Sequence, residues 1–437
     1  MKKHLIYDPE RECMSRDELT AWQSARLRET VRREYDNVPM YRARMREKGL
    51  SPEDIRGVED LKYLPFMEKT DLRDYYPFDL LASPRSEIVR IQGSSGTTGK
   101  PIVAGYTRND VDVWSDMMAR TLTAAGCTKD DVVQIAYGLG LFTGGFGAYQ
   151  GADRIGAMVV PMSSGNTQRQ IMMMRDLGVT LLCCTPSYAT YLGETIREMG
   201  LEPGRDIRLK AGCFGAEPWT EAMRGHLEEL LGIDACDIYG LTEIAGPGVA
   251  GDCQHRTGLH IWEDHFYPEI IDPETLEPLP DGEVGELVFT TISRTGTPMI
   301  RYRTRDLTRL HTEKCPCGRT MRVMDRISAR SDDMLIIHGV NVFPGQIEAG
   351  LLRVPEVAPH YQIILSSTDT LDLFEIKVEV NAEAFSDSVR KMEELRKRVF
   401  DAVKSIIGLS AKIILVEPGS LPRSEGKIKR VIDNRRK

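Results

Sequence analysis

No apolar run in this 437-residue chain approaches the ~20 residues that a membrane-spanning helix requires. Val179-Thr180-Leu181-Leu182-Cys183-Cys184 is among the longest. The opening MKKHLIYDPERE offers only Leu5-Ile6-Tyr7 as an apolar group, so no secretory leader is expected. Basic residues are in deficit. The 57 Lys and Arg against 65 Asp and Glu leave a net charge of −8, which argues against general nucleic-acid binding. Cysteines are scattered and odd in number, nine in all, which excludes a disulfide framework and fits a reducing compartment. Internal repeats and low-complexity tracts are also missing. What remains, 41% apolar and 28% charged residues, describes a soluble cytoplasmic protein too long for one core.

The chain opens on a capping box, Ser15 with Glu18, ahead of Leu19, Trp22, Leu27 and Val31 near helical spacing; this helix should stop before Pro39. Leu50 to Pro84 reads as a loop-rich lead-in. From Val132 strands alternate with helices: strands at 132–136, 158–160, 179–184, 209–214 and 235–239, and helices at 170–177, 186–199 and 218–231. Successive β-α-β units imply a parallel sheet with both faces covered, whose ligands gather at the carboxyl ends of its strands. Near residue 330 the pattern shifts to a compact α+β module. Strands are expected at 334–337, 360–365 and 373–380, then a helix carrying Val389, Met392, Leu395, Val399, Val403 and Ile406 and closed by Gly408. The expected division is 1–330 and 331–437.

Ser94-Ser95-Gly96-Thr97-Thr98-Gly99-Lys100-Pro101 has the composition of a phosphate cradle. Glycines let backbone N–H groups approach an anion, hydroxyls add donors, and Lys100 supplies charge. It is not the P-loop of kinases and GTPases. Five residues rather than four separate Gly93 from Gly99, and Pro101 stands where a magnesium-binding Ser or Thr is required. A flexible Gly/Ser surface loop would look similar.

Further stretches accompany it: Gly215-Ala216-Glu217-Pro218, Tyr239-Gly240-Leu241-Thr242-Glu243, Tyr302-Arg303-Thr304-Arg305-Asp306, Arg330-Ser331-Asp332-Asp333, and Leu421-Pro422-Arg423-Ser424-Glu425-Gly426-Lys427. In this order they resemble the adenylate-forming superfamily of acyl-CoA synthetases, most closely its phenylacetate-CoA ligases. The resemblance runs from Asn37-Val38-Pro39-Met40-Tyr41 to the terminal lysine motif. It implies a large N-terminal α/β domain with parallel or mixed sheets and a small mobile C-terminal α+β domain, acting on ATP, Mg²⁺, coenzyme A and an aryl acid. Residues Ser94 to Lys100 would hold the β,γ-phosphates. Gly215, Ala216, Glu217 and Pro218 would line adenine with Tyr239 nearby, and Asp237, Ile238, Gly240 and Arg326 would complete the nucleotide site. The resemblance gives Thr242 the α-phosphate, Glu243 the Mg²⁺, Asp306 the ribose hydroxyls, and Arg330 ribose or phosphate. Asp332 is the implied hinge and Lys427 the catalytic lysine. Ala329 and His338 depart from the related pattern, which has glycine and arginine there. A homodimer is implied by the resemblance alone.

Tyr137-Gly138-Leu139-Gly140-Leu141-Phe142-Thr143-Gly144-Gly145 is aromatic and small at once, which suits a flat ring against bare backbone and equally suits a packed core. The resemblance places Tyr137 and Phe142 in the acyl pocket, with Gly215, Ile238 and Pro247 as further walls. Cys315-Pro316-Cys317-Gly318 looks like a metal knuckle. Cys253 and either His255 or His260 would complete a structural zinc site, His260 being preferred because Leu259-His260-Ile261-Trp262 reads as a strand. Two buried thiols in a turn is the competing reading. Two other functions stay in view: transfer of the activated group to an acceptor other than coenzyme A, and a nucleotide-binding or zinc-containing scaffold without catalysis. The scaffold would require dead catalytic positions, whereas Glu243, Asp306 and Lys427 are all present.

Overall fold

The computed structural model describes residues 5–94, 102–327, 329–331, 335–337, 340–367, 372–385, 388–424 and 428–435. Its centre is a mixed sheet, nine-stranded among the described residues. Strands Met158–Val160, Val132–Ile135, Leu181–Cys184, Ala211–Gly215 and Asp234–Leu241 lie side by side in parallel. Gly246–Asp252, Leu259–Ile261, Val323–Met324 and Leu310–His311 then extend the sheet antiparallel. Every residue of Leu181–Cys184 is buried because each face has its own core. Leu181 and Cys183 face the cluster containing Leu27, Trp114 and Phe289, whereas Leu182 and Cys184 face the one containing Tyr188, Leu227 and Phe214. The two-residue alternation of a strand thus fills two layers at once.

A second, antiparallel sheet stacks Phe266–Ile271, Gly285–Thr291, Tyr302–Thr308 and Ala329–Arg330. The C-terminal unit has its own sheet, in the order Lys412–Val416, Asp372–Val380, Val357–Ser367, Val431–Asp433, and its own core. The helix Val389–Ile407 lays Leu395, Val399, Val403 and Ile407 on that core, and Gly408 ends it at φ +71.

The Ser15 capping box forms as expected, with the Glu18 N–H on Ser15 Oγ at 3.3 Å and the Ser15 N–H on Glu18 Oε2 at 3.0 Å. The helix it starts runs Arg16–Asn37, and Pro39 opens a second helix, Pro39–Glu47. One expected boundary is corrected. The helix placed from Pro218 begins at Glu221, because the Thr220 side chain accepts the Met223 N–H and caps it there. Pro218 and Trp219 stay in the loop. Strand boundaries shift too, to Leu181–Cys184 and Ala211–Gly215, and the described part of the strand expected at 334–337 is Leu335–Ile337. No helix among the described residues is long and apolar enough to cross a membrane.

Candidate active site and metal centre

The carboxyl ends of the parallel strands bring most of the expected residues to one rim. Gly215 ends its strand with no room for a side chain: a Cβ there would lie 2.2 Å from the Ile238 carbonyl oxygen of the next strand. Ala216 follows at φ +72, a left-handed conformation that costs a non-glycine residue on the order of 1 kcal/mol or more. This turn throws Glu217 back over the helix Pro186–Glu198, where Oε1 accepts the Ser187 N–H at 2.8 Å. On the adjacent strand Asp237 accepts from Trp219 Nε1 at 2.9 Å and faces Arg326 Nε at 3.3 Å. Burial pushes its carboxyl up to about 7 despite that arginine.

Tyr239 and Asp306 come from different sheets and meet. The Tyr239 hydroxyl donates to Asp306 Oδ2 at 2.6 Å, and Arg330 Nη1 donates to Asp306 Oδ1 at 3.2 Å. Asp306 is 4% exposed. These two bonds fix the orientation of the Asp306 carboxylate. Burial raises the Tyr239 phenol well above its ordinary value, with Asp306 adding to the effect, so the hydroxyl keeps its proton and stays a donor.

Thr242 and Glu243 follow the same strand. Thr242 Oγ1 lies 3.3 Å from Thr143 Oγ1, joining the end of this strand to the glycine-rich stretch. Glu243 Oε1 is 3.5 Å from Lys69 Nζ. Arg294 donates to the Glu243 and Ile244 carbonyls at 2.7 and 2.6 Å with its guanidinium over the Tyr106 ring, which pins this turn. Sequence reasoning missed Lys69 and Arg294, which lie in stretches with no motif around them. Thr143 was visible only as part of a stretch assigned to the acyl pocket.

The residues expected to line the acyl pocket also gather. Around Gly144 a Cβ would sit 2.6 Å from the Phe142 ring and 3.4 Å from the Tyr137 ring, and Gly147 meets the Pro247 ring in the same way. The Tyr137 hydroxyl is buried without a hydrogen-bond partner among the described residues. The stretch also abuts the base of the glycine-rich loop. The Gly93 N–H donates to the Leu141 carbonyl at 2.8 Å, and the Ser94 N–H to that of Ile102 at 3.2 Å. Ser95, Gly96, Thr97, Thr98, Gly99, Lys100, Asp332 and Lys427 lie outside the described residues.

The flanks of residue 427 are described. Upstream, Glu379 accepts the Gly419 and Leu421 N–H groups at 3.0 and 2.7 Å and both ends of the Arg423 guanidinium at 2.8 Å. Downstream, the Ile428 N–H donates to Glu217 Oε2 at 3.3 Å. The C-terminal unit thereby touches the loop that follows the strand Ala211–Gly215.

Cys253, His260, Cys315 and Cys317 are buried together with their ligand atoms within 4.8 Å of one another. His260, not His255, is the member of this group, held by its place in the strand Leu259–Ile261. A tetrahedron with ~2.3 Å metal–sulfur and ~2.0 Å metal–nitrogen bonds has S···S edges of ~3.8 Å and S···N edges of ~3.5 Å. Cys253 Sγ to Cys315 Sγ is 3.6 Å and Cys317 Sγ to His260 Nε2 is 3.5 Å, so the group fits zinc. Those sulfurs are free thiols, too far apart for a disulfide of ~2.05 Å. Thr257 Oγ1 donates to Cys315 Sγ at 3.1 Å. Hydrogen bonding among the three thiols lowers those of Cys315 and Cys317 and raises that of Cys253. The knuckle also anchors the start of the chain: Arg319, two residues on, pairs with buried Glu12 at 2.6 Å, and the Thr320 N–H bonds the Glu12 carbonyl at 3.1 Å.

Comparison with known proteins agrees with this geometry. Residues 36–295 match the AMP-binding enzyme family, and residues 339–435 the AMP-binding enzyme C-terminal domain. A phenylacetate-coenzyme A ligase of Thermus thermophilus is 49% identical, over 99% of this chain and 100% of its own length. A 2-hydroxyisobutyryl-CoA ligase, solved in the postadenylation state in complex with R3-HIB-AMP, superposes with a TM-score of 0.92 at 30% identity, over 98% of this chain and 92% of that one. A structure of the ligase of that name with 2-HIB-AMP and CoA in the thioesterification state gives 0.71 at 30% identity over 98% and 92%.

Proposed function

The chain belongs to the phenylacetate-coenzyme A ligase family of AMP-binding enzymes and is an ATP-dependent, AMP-forming acyl-CoA ligase, and from that premise we propose that its acid is phenylacetate. The observation that carries this choice is the 49% identity over full length to a phenylacetate-coenzyme A ligase. The aromatic character of this stretch is consistent with it: Tyr137 and Phe142 both pack on the bare backbone of Gly144, where the resemblance puts the acyl group.

A carboxylate is a poor acyl donor because expelling oxide is uphill. One carboxylate oxygen attacks the α-phosphorus of ATP, the bond to the β-phosphate oxygen breaks, and pyrophosphate leaves a mixed acyl-AMP anhydride. The coenzyme A thiolate then attacks the acyl carbon, and AMP departs with the electron pair of the C–O bond. In our reading the Ser94 to Lys100 loop receives the β,γ-phosphates and Gly215 to Pro218 line adenine. Asp306, oriented by Tyr239 and Arg330, accepts the ribose hydroxyls. Thr242 reaches the α-phosphate, and Lys427 neutralises carboxylate and α-phosphate together. Magnesium held by Glu243 would offset charge on the departing pyrophosphate. A division at 330/331 with a hinge at Asp332 lets the C-terminal unit clear the acyl carbon for the thiol. Zinc on Cys253, His260, Cys315 and Cys317 would be structural, since four protein ligands leave no open position. A cytoplasmic homodimer completes the proposal.

A pyrophosphate-release screen over aryl, arylalkyl and short-chain acids tests the acid. Phenylacetate is expected to give the highest kcat/KM, with AMP and phenylacetyl-CoA as products once coenzyme A is added. A clear preference for a non-aromatic acid would overturn the assignment. Asp306→Asn keeps the shape but removes the charge that strengthens bonds to ribose hydroxyls. It is expected to raise KM for ATP about tenfold while leaving KM for the acid within about twofold. Initial rates over both substrates check this split.

A further inference from the structure

The C-terminal unit meets the large one through a polar contact that the chemistry above does not use. His360, in the strand Val357–Ser367, has its Nε2 2.7 Å from Glu194 Oε1 on the helix Pro186–Glu198. The His360 side chain is 6% exposed and that of Glu194 26%. Arg423 brings its Nε to 3.8 Å from the other oxygen of Glu194. Because Glu379 grips the Arg423 guanidinium at 2.8 Å through both terminal nitrogens, the edge turned toward Glu194 is fixed rather than free to follow it. One carboxylate of the large unit therefore holds two groups of the small one, and one of them stands four residues before Lys427.

The packing explains why this contact can be made and broken. Glu194 belongs to a helix whose apolar side, with Tyr188, Leu192 and Ile196, fills one core, whereas His360 and Arg423 extend from the unit built on a separate core containing Ile363, Phe374 and Val399. Turning one unit against the other separates Glu194 from both partners and withdraws Leu352 from the edge of the first core, while the interior of each core stays closed. The arrangement in which the contact forms is nearer the postadenylation structure than the thioesterification one, with TM-scores of 0.92 and 0.71. We propose that Glu194 is a positioning residue for the first half-reaction: by holding His360 and Arg423 it keeps the C-terminal unit in the adenylating orientation, and it lets go when that unit turns for thioester formation. This rests on the two-step reading given above.

Glu194→Ala and Glu194→Gln test it in the full-length protein. In Glu194→Ala, phenylacetate-dependent ATP–pyrophosphate exchange is expected to fall roughly fivefold to tenfold, the size of a modest coupling between two states. KM for ATP and the rate of phenylacetyl-CoA formation from supplied phenylacetyl-AMP should hold. Glu194→Gln, which can still accept a hydrogen bond at this position, should recover part of the loss. Equal loss in both half-reactions, or no change in either, overturns the proposal. Hydrogen exchange supplies a readout independent of activity. Backbone amides of 357–367 and 419–424 should exchange faster in Glu194→Ala at an unchanged melting temperature, and unaltered protection there overturns the latch. A wild-type protein with no exchange activity toward any acid would sink the functional reading instead, and the amide measurement would still decide on Glu194.

Discussion

Lys427→Ala is expected to lower acid-dependent ATP–pyrophosphate exchange by about a hundredfold to a thousandfold, the usual cost of removing one positioned charge from a transition state, ~2.7 to 4 kcal/mol. The charge matters because the attack brings a carboxylate and an α-phosphate together, and a cation between them offsets the repulsion as it grows. The neighbouring contacts make the experiment clean. Upstream the tail is fixed by Glu379, through Gly419, Leu421 and Arg423, and downstream the Ile428 N–H is taken by Glu217, so the alanine removes no described anchor. Thioester formation from supplied acyl-AMP should therefore continue at close to the wild-type rate. Unimpaired exchange in the variant would show that another group carries this role.

The second large effect concerns the Cys/His group. Cys317→Ser is expected to abolish metal binding and destabilise the protein by about 4 kcal/mol or more, since loss of a structural metal is among the few single changes of that size. Three sulfurs and an imidazole lie this close together in the interior, the donor set of a structural zinc site. The melting temperature should drop by roughly 4 °C or more, and metal analysis should find one zinc per wild-type chain and none in the variant. A wild-type protein that binds no zinc and melts unchanged in chelator would leave the buried-thiol reading standing. The damage should reach the first dozen residues, because Arg319 and Thr320 bond Glu12 immediately beyond Cys317.

How far the chain could be read depended on whether a residue's role was local. The Ser15 box and the stop at Gly408 were legible, because capping and left-handed termination are decided within four residues. The alternation of strands and helices from Val132 also gave the parallel half of the main sheet. Its antiparallel extension did not announce itself: Gly246–Asp252 contains three glycines and a proline, and is a strand because it pairs with both neighbours. Pro218 was taken as the start of a helix on a real preference, yet Thr220 wins because its hydroxyl caps a specific N–H. At the site, residues inside motifs were found and their supports were not. Tyr239 and Asp306 were expected near the nucleotide, but that they touch at 2.6 Å is a fact of two sheets meeting. Lys69 beside Glu243 and Arg294 beneath it belong to segments far away in the chain. The choice of His260 over His255 rested on a strand-like setting, and the strand is there.

The pairing of Glu12 with Arg319 spans 307 positions. On a ribosome adding ~5 to 20 residues per second, the opening segment waits roughly 15 to 60 s for its partner to emerge. Throughout that interval the first helices can fold on themselves, but a carboxylate destined for complete burial stays in water. Closure of the amino-terminal edge is thus a late event in biogenesis, set by the far end of the main sheet rather than by the helix next to it.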